Sequence, residues 1–317
     1  MSSPAASTRT IVIALVANLG IAVSKFIAAA ITGSSAMLTE GVHSVVDSAN
    51  QLLLIWGRRQ SKKPADQYHP FGYGRELYFW SFVVAVLVFS LGAGVSIYEG
   101  ILHIARPEPA VSPLVAYVVL LIAFLLDGWS TVEAYREFRS AKGTTGWIEA
   151  IRRSKDPAAF IVLLENGAAM AGVLVAALGL FLAQQTHDPF YDGAASVVIG
   201  IILAMTAFFL AYESKGLLIG EAADPEVVTG LRDLVCSQQG VIAAGEVRTV
   251  HSSPDQITAM VSVDFDDSIS AGDVERIVCT IEEEAMKHWP HVRRLYIRPR
   301  KGSLLQQNVW DSECQGE

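Results

Sequence analysis

The stretch GSSAMLTEGVHSVVDSANQLLLIW, residues 33–56, reads as a membrane helix with an ionisable stripe along one side. Glu40, His43, Asp47 and Asn50 follow one another at intervals of three, four and three, the spacing that stacks side chains on one helical face. Leu38, Val45, Val46, Leu52, Leu53 and Leu54 supply the apolar remainder. An acid near a bilayer midplane costs roughly 2.5–3.5 kcal/mol on insertion scales, so two acids and a histidine need a compensating partner or a task. His43 and Asp47, one turn apart, can hydrogen-bond each other inside a bundle. The second acid at i−3 favours another reading, because ligands at i and i+4 bind one ion without bending the helix.

The rest of the composition agrees with a membrane setting. Of 317 residues, 51% are hydrophobic and only 18% charged, which suits a polytopic membrane protein better than a soluble enzyme. Residues 214–317 hold 10 Lys and Arg against 17 Asp and Glu, a net of −7, whereas residues 1–213 hold 14 against 15, a net of −1. The C-terminal third therefore reads as a separate acidic, soluble domain, and its charge disfavours nucleic-acid binding. Cys236, Cys279 and Cys314 are few and widely spaced, which predicts neither a disulfide framework nor a cysteine metal cluster. The opening MSSPAASTRT is too short and polar for a signal peptide.

Taken in order, the chain predicts six spans: Thr10 to Ile31, the helix quoted above, Leu77 to about Ile101, Val111 to about Val132, Ala158 to Ala183, and Ala194 to Tyr212. Arg58, Arg59, Lys62 and Lys63 follow the second span; Arg136, Arg139, Lys142, Arg152, Arg153 and Lys155 follow the fourth. Basic loops face the cytoplasm, so both termini are expected inside. Short outer loops hold Pro107 and Pro109, and QQTHDPFYD. The domain boundaries are 1–213 for the membrane part, 214–301 for a cytoplasmic domain and 302–317 for a loose tail. In the cytoplasmic domain, helices near Pro225 to Gln239 and Ala271 to His288 alternate with strands near Gly245 to His251, Gln256 to Phe265 and Val292 to Arg298. That order predicts a small open-faced α+β sandwich, ferredoxin-like or metallochaperone-like, able to bind metal or only to dimerise. The fold class is thus an all-α six-helix transmembrane bundle plus this domain.

Glu165, in FIVLLENGAAMAG, is the acid of the fifth apolar run. Gly167, Ala168, Ala169, Ala171 and Gly172 after it let a neighbouring helix approach closely. The expectation is that Glu165 faces His43 and Asp47, the other reading being a cap near the cytoplasmic helix end. Asp127, in the fourth span, can be a relay acid, a fourth ligand or the partner of a basic group on another helix. Asp66 and His69, in the loop PADQYHPFGYGRE, offer oxygen and nitrogen donors for a weak cytoplasmic metal site, or His69 before Pro70 orders the turn.

Several of these segments resemble the cation diffusion facilitators, transporters of zinc and other divalent metals. The resemblance runs from the first span to about Pro299 and rests on TGSSAMLTEGVHSVVDSANQ, HPFGYGRELYFW, VLLENGAAMAG and YESKGLLIGEAADPE. The spelling is most similar to the branch containing the mitochondrial zinc exporter-like proteins of animals and their bacterial relatives. It implies six helices per subunit, a homodimer, and metal export from the cytoplasm in exchange for protons, with His43 and Asp47 as second-helix ligands. The fifth helix of the family adds a polar pair four residues apart, whereas Ile161 and Ala169 flank Glu165 at that spacing. The branch often has Glu followed by Asp; here the second residue is Asn166. In the C-terminal domain Tyr296 and Arg298 precede Pro299 and 261–264 lacks histidine, so that domain reads as a dimerisation module without its own metal. In the loop, Asp66 and His69 match a family metal position whose third member is Tyr73 here.

The functional expectation is proton-coupled efflux of a divalent metal by alternating access around His43, Asp47 and Glu165. Asn50, Asn166 or water completes the shell, and Glu40 and Asp127 stand by as shell or relay groups. Neutral imidazole and ionised carboxylates bind the ion, so metal uptake releases protons. One imidazole with carboxylates favours Zn²⁺; an oxygen-heavy shell also admits Mn²⁺, Fe²⁺ or Co²⁺. No cofactor is expected beyond the transported metal, and the partners are a second copy and the lipid bilayer of a bacterial cytoplasmic membrane. A non-transporting membrane scaffold or metal sensor is the alternative. An enzyme with a metal-bound water lacks a second motif that supplies a nucleophile or base.

Overall fold

The computed structural model describes residues 8–106, 113–142, 146, 150 and 155–301. The outer loop with Pro107 and Pro109, the basic residues Arg152 and Arg153, and the tail 302–317 with Cys314 fall outside the described residues. The described residues form two compact units, divided after Lys62, Arg75 and Lys215, with 63–75 joining the C-terminal unit.

The first unit is helical. Helix α1 spans Thr8–Thr32 and α2 spans Ser35–Ser61. Between them Gly33 takes φ 68°, a left-handed turn that glycine adopts without strain, and returns its N–H to Ala29 O at 2.8 Å. Ser34 then caps α2, its hydroxyl accepting from Met37 N at 3.2 Å. The third run was expected to be uninterrupted. It is α3, Glu76–Leu87, and α4, Gly94–Ala105, joined by a π-helical segment, Val88–Ala93, that packs on α2.

Helix α5 spans Pro113–Lys142, α6 Pro157–Thr186 and α7 Phe190–Ile219. Helices α5 and α7 therefore outrun their expected ends at Val132 and Tyr212. Polar residues leaving a bilayer remain good helix formers, so loss of hydropathy does not end a helix. Glu76–Ala105, Leu114–Arg136, Phe160–Thr186 and Phe190–Ile219 are each long and apolar enough to cross a membrane. Many of their large apolar side chains point outward, including Leu125, Leu178, Met205 and Phe208, as a lipid-facing surface requires. This is an integral membrane protein. Inside, small residues close the helix contacts: a Cβ on Gly41 of α2 would sit 3.1 Å from the Phe26 ring of α1, and one on Gly172 of α6 would collide with the Glu40 carboxylate.

In the second unit α8, Pro225–Cys236, and α9, Ala271–His288, cover one face of a four-stranded sheet. Strand β3, Gln256–Phe265, is central; β1, Val241–Ala244, and β2, Arg248–Ser253, run antiparallel along one edge of it. Strand β4, Val292–Pro299, runs parallel along the other edge. The alternation in β3 sends Ile257, Ala259, Val261, Val263 and Phe265 into the core with Leu231, Val235, Ile281 and Ala285. Strand β1 was not anticipated, because four residues reading VIAA carry no period-two signal. Helix α9 starts with a capping box in which Ser270 and Asp273 exchange hydrogen bonds. Hydrogen bonds from Ser270 hold the Asp273 carboxyl below the usual carboxylate range.

The loop 63–75 belongs to this unit. Arg294 of β4 donates to Pro70 O at 3.2 Å and lies over the Phe71 ring at 4.9 Å.

Ile281 is fully buried beneath the sheet. Ile281→Ala is expected to destabilise this unit by about 2–5 kcal/mol. Hydrogen exchange of peptides covering β3 in the full chain checks it, as a loss of protection of that size.

Candidate functional site

The ionisable stripe of α2 faces the interior of the helical unit. Glu40, His43 and Asn50 are each at most 1% exposed. His43 Nδ1 lies 3.5 Å from Asp47 Oδ1, too long for a hydrogen bond of ordinary strength. Neither ring nitrogen of His43 has a hydrogen-bond partner, and neither does Asp47 Oδ1 or Asn50 Oδ1. Buried polar atoms are nearly always partnered, so these four, within two turns of one helix, are the candidate ligand atoms of the helical unit.

Helix α6 supplies the opposing acid. Glu165 Oε1 accepts from Asn50 Nδ2 at 2.8 Å. Asn18 of α1, Ser44 and Asp47 of α2, Asp127 of α5, and Glu165 and Asn166 of α6 line one cavity between the four helices. Asn166 Nδ2 donates to Ser130 Oγ of α5 at 2.9 Å, tying α6 to α5. The structure thus brings Asp47, Asp127, Glu165 and Asn166 together from three helices. It leaves His43 out of the lining of that cavity. Among the described residues no three His, Cys, Asp or Glu side chains are close enough together to hold a metal ion in this conformation. Glu165 is turned to Asn50 instead.

Two buried contacts fix where α2 sits, and neither was anticipated. Lys25 Nζ on α1 lies 3.0 Å from Glu40 Oε2 and 2.9 Å from Ser44 Oγ, with both charged side chains at most 1% exposed. Lys25 is the one charged residue between Thr10 and Ile31, a signal that an acid elsewhere must face it. Asp192, in the first turn of α7, accepts from Ser34 Oγ and from Ser35 N, each at 2.7 Å. It places a carboxylate on the N-terminus of α2, where the backbone N–H groups and the helix dipole favour negative charge. His103 Nε2 of α4 stands 3.7 Å from the same carboxylate. In the sequence, Asp192 reads as the last residue of the outer loop QQTHDPFYD, whereas the helix begins at Phe190 and takes it into its first turn.

The loop residues have another arrangement. Asp66 Oδ1 accepts from the backbone N–H of Tyr68 and His69 at 2.9 and 2.7 Å, and Asp66 Oδ2 from Tyr73 Oη at 2.7 Å. The Tyr73 hydroxyl, foremost, holds the Asp66 carboxyl below the usual carboxylate range. His69 Nδ1 is 3.6 Å from Asp66, and its ring packs on Tyr73 at 4.2 Å. Three donors committed to one carboxylate order the turn around Asp66.

A membrane-embedded helical unit whose interior holds an imidazole, several carboxylates and an ammonium is the architecture of a protein that handles ions. The chain belongs to the cation efflux transmembrane domain family, which matches residues 11–219. It is 35% identical over 245 residues to the mitochondrial proton-coupled zinc antiporter SLC30A9 of Mus musculus, a match covering 76% of this chain and 43% of that protein. It is 31% identical over 261 residues to metal tolerance protein C4 of Arabidopsis thaliana, covering 82% of this chain and 57% of that one. It is 26% identical over 260 residues to the cation-efflux pump FieF of Klebsiella pneumoniae, covering 82% of this chain and 81% of the pump. The chain thus spans about half the length of the first two relatives.

Asp192→Ala leaves Ser34 Oγ and Ser35 N without their acceptor. Hydrogen bonds to charged groups contribute about 1.5–3 kcal/mol each, so the full chain in detergent is expected to melt at lower temperature. Asp192→Asn, which keeps one acceptor oxygen, should recover part of the loss.

Proposed function

We propose that the protein exports a divalent metal cation, with zinc favoured, from the cytoplasm in exchange for protons. The observation that carries this reading is the run of buried, unpartnered donor atoms on α2: both nitrogens of His43, Asp47 Oδ1 and Asn50 Oδ1. Glu165 faces the same helix from α6. In the metal-loaded state Glu165 exchanges its bond to Asn50 for the ion, while His43 and Asp47 bind it one turn apart. Asn50 Oδ1, Asn166 or water completes the shell. The relatives named for zinc antiport and cation efflux support the same class of activity.

Coupling follows from the donor set. Imidazole binds metal only when neutral and carboxylates only when ionised, so loading releases protons and reprotonation drives release on the far side. A change in the α2–α6 contact is the conformational step, because the two ligand-bearing helices approach through Gly172 and its small neighbours. Asp127, in the wall of the same cavity, is placed to relay protons. The chain acts as a transporter without bond-making chemistry of its own.

The finer architecture belongs to this reading. The helical unit crosses the membrane six times, α3 to α4 counting as one span, with basic loops and both termini in the cytoplasm. The second unit is a ferredoxin-like cytoplasmic domain that binds no metal and pairs two copies of the chain. A bacterial cytoplasmic membrane suits this arrangement.

Reconstituted protein with a pH-sensitive dye inside the vesicles tests the proposal. Zinc influx with opposing proton movement is expected for wild type, loss of both for His43→Ala, and a drop of about tenfold or more for Glu165→Gln. Folded wild type that moves no divalent ion would contradict the proposal and favour a scaffold.

A further inference from the structure

The proposed transport cycle does not use Lys25, yet an ammonium buried in a membrane bundle is an expensive feature. Its Nζ is 3.0 Å from Glu40 Oε2 and 2.9 Å from Ser44 Oγ, and Ser44 Oγ donates to Glu40 O at 3.0 Å. Glu40 precedes His43 by three residues, so the two share a face of α2. Glu40 Oε1 has no hydrogen-bond partner and points at Gly172 of α6, two turns along from Glu165. Half of this carboxylate is therefore uncommitted, at the α2–α6 contact that the transport reading makes the site of metal binding.

We propose that Lys25 is a specificity-determining positioning residue, which by pairing with Glu40 keeps that carboxylate out of the metal shell. The inference rests on the transport reading. With Glu40 held, the ion meets one imidazole and the carboxylates of Asp47 and Glu165, a small shell with a nitrogen donor that suits tetrahedral Zn²⁺. With Lys25 neutral, Glu40 is an unpaired buried charge one turn from His43. A bound cation is then its nearest compensation. A shell enlarged by a third carboxylate suits Mn²⁺, which takes oxygen donors in octahedral geometry. An ion pair that only joined α1 to α2 would affect stability but not the choice of ion.

The test compares zinc and manganese influx into vesicles holding full-length protein under the same proton gradient. Lys25→Met is expected to lower the zinc-to-manganese ratio by about tenfold. The double variant Lys25→Met with Glu40→Gln should return the ratio to the wild-type value, since a neutral pair of similar volume replaces the ion pair. Lys25→Arg, which keeps the cation, should retain it. A ratio unchanged in folded Lys25→Met, or still shifted in the double variant, would overturn the assignment. Should Lys25→Met fail to fold, Lys25→Gln, which also leaves Glu40 without its cation, decides in its place, a lowered zinc-to-manganese ratio supporting the proposal and an unchanged one overturning it. Wild type that carries neither ion would overturn the transport reading and this inference with it, whereas wild-type flux with an unshifted ratio overturns only the role of Lys25.

Discussion

The ion pair between Lys25 and Glu40 is the constraint on which the arrangement of the site depends. A charge buried in a bilayer-embedded bundle persists only with a partner, and the distance of 3.0 Å between these two fixes α1 against α2. Asp192 fixes the other end of the same helix by holding the N–H of Ser35 and the hydroxyl of Ser34. Further along the same helix, Asn50 bonds Glu165 of α6 through its amide nitrogen, while both nitrogens of His43, Asp47 Oδ1 and Asn50 Oδ1 have no hydrogen-bond partner.

That division of labour explains why one helix carries so much polarity. Glu40 and Ser34 engage α1 and α7; further along, Asn50 engages the acid of α6, and His43 and Asp47 are the groups proposed to take the ion. The contact between α2 and α6 is the adjustable part. Glu165 is bound to Asn50 here and would exchange that bond for a metal in the proposed loaded state, while the missing side chain of Gly172 makes room for the Glu40 carboxylate between the two helices.

Much of this was legible in the sequence, and the missing parts share one physical cause. The stripe Glu40, His43, Asp47 and Asn50 follows from helical spacing, and the importance of Glu165 follows from the cost of an acid in an apolar run. Both are local arguments. The partnership of Lys25 with Glu40 and the capping of α2 by Asp192 are contacts across 15 and 157 or more positions, and spacing carries no trace of them. Asp66 was open to two readings because its role depends on Tyr73, which a turn brings back to it. The strand β1 was missed because an apolar run of four residues looks alike in helix and strand, and the π-helical segment Val88–Ala93 because its widened turn leaves no mark in hydropathy.

X-ray absorption at the zinc edge on zinc-loaded, full-length protein tests the central claim most directly. The account predicts a shell of nitrogen and oxygen at about 2.0–2.1 Å with the scattering of one imidazole, and loss of that imidazole signature in His43→Ala. A sulfur shell at about 2.3 Å, or an imidazole signature that survives the loss of His43, would contradict it.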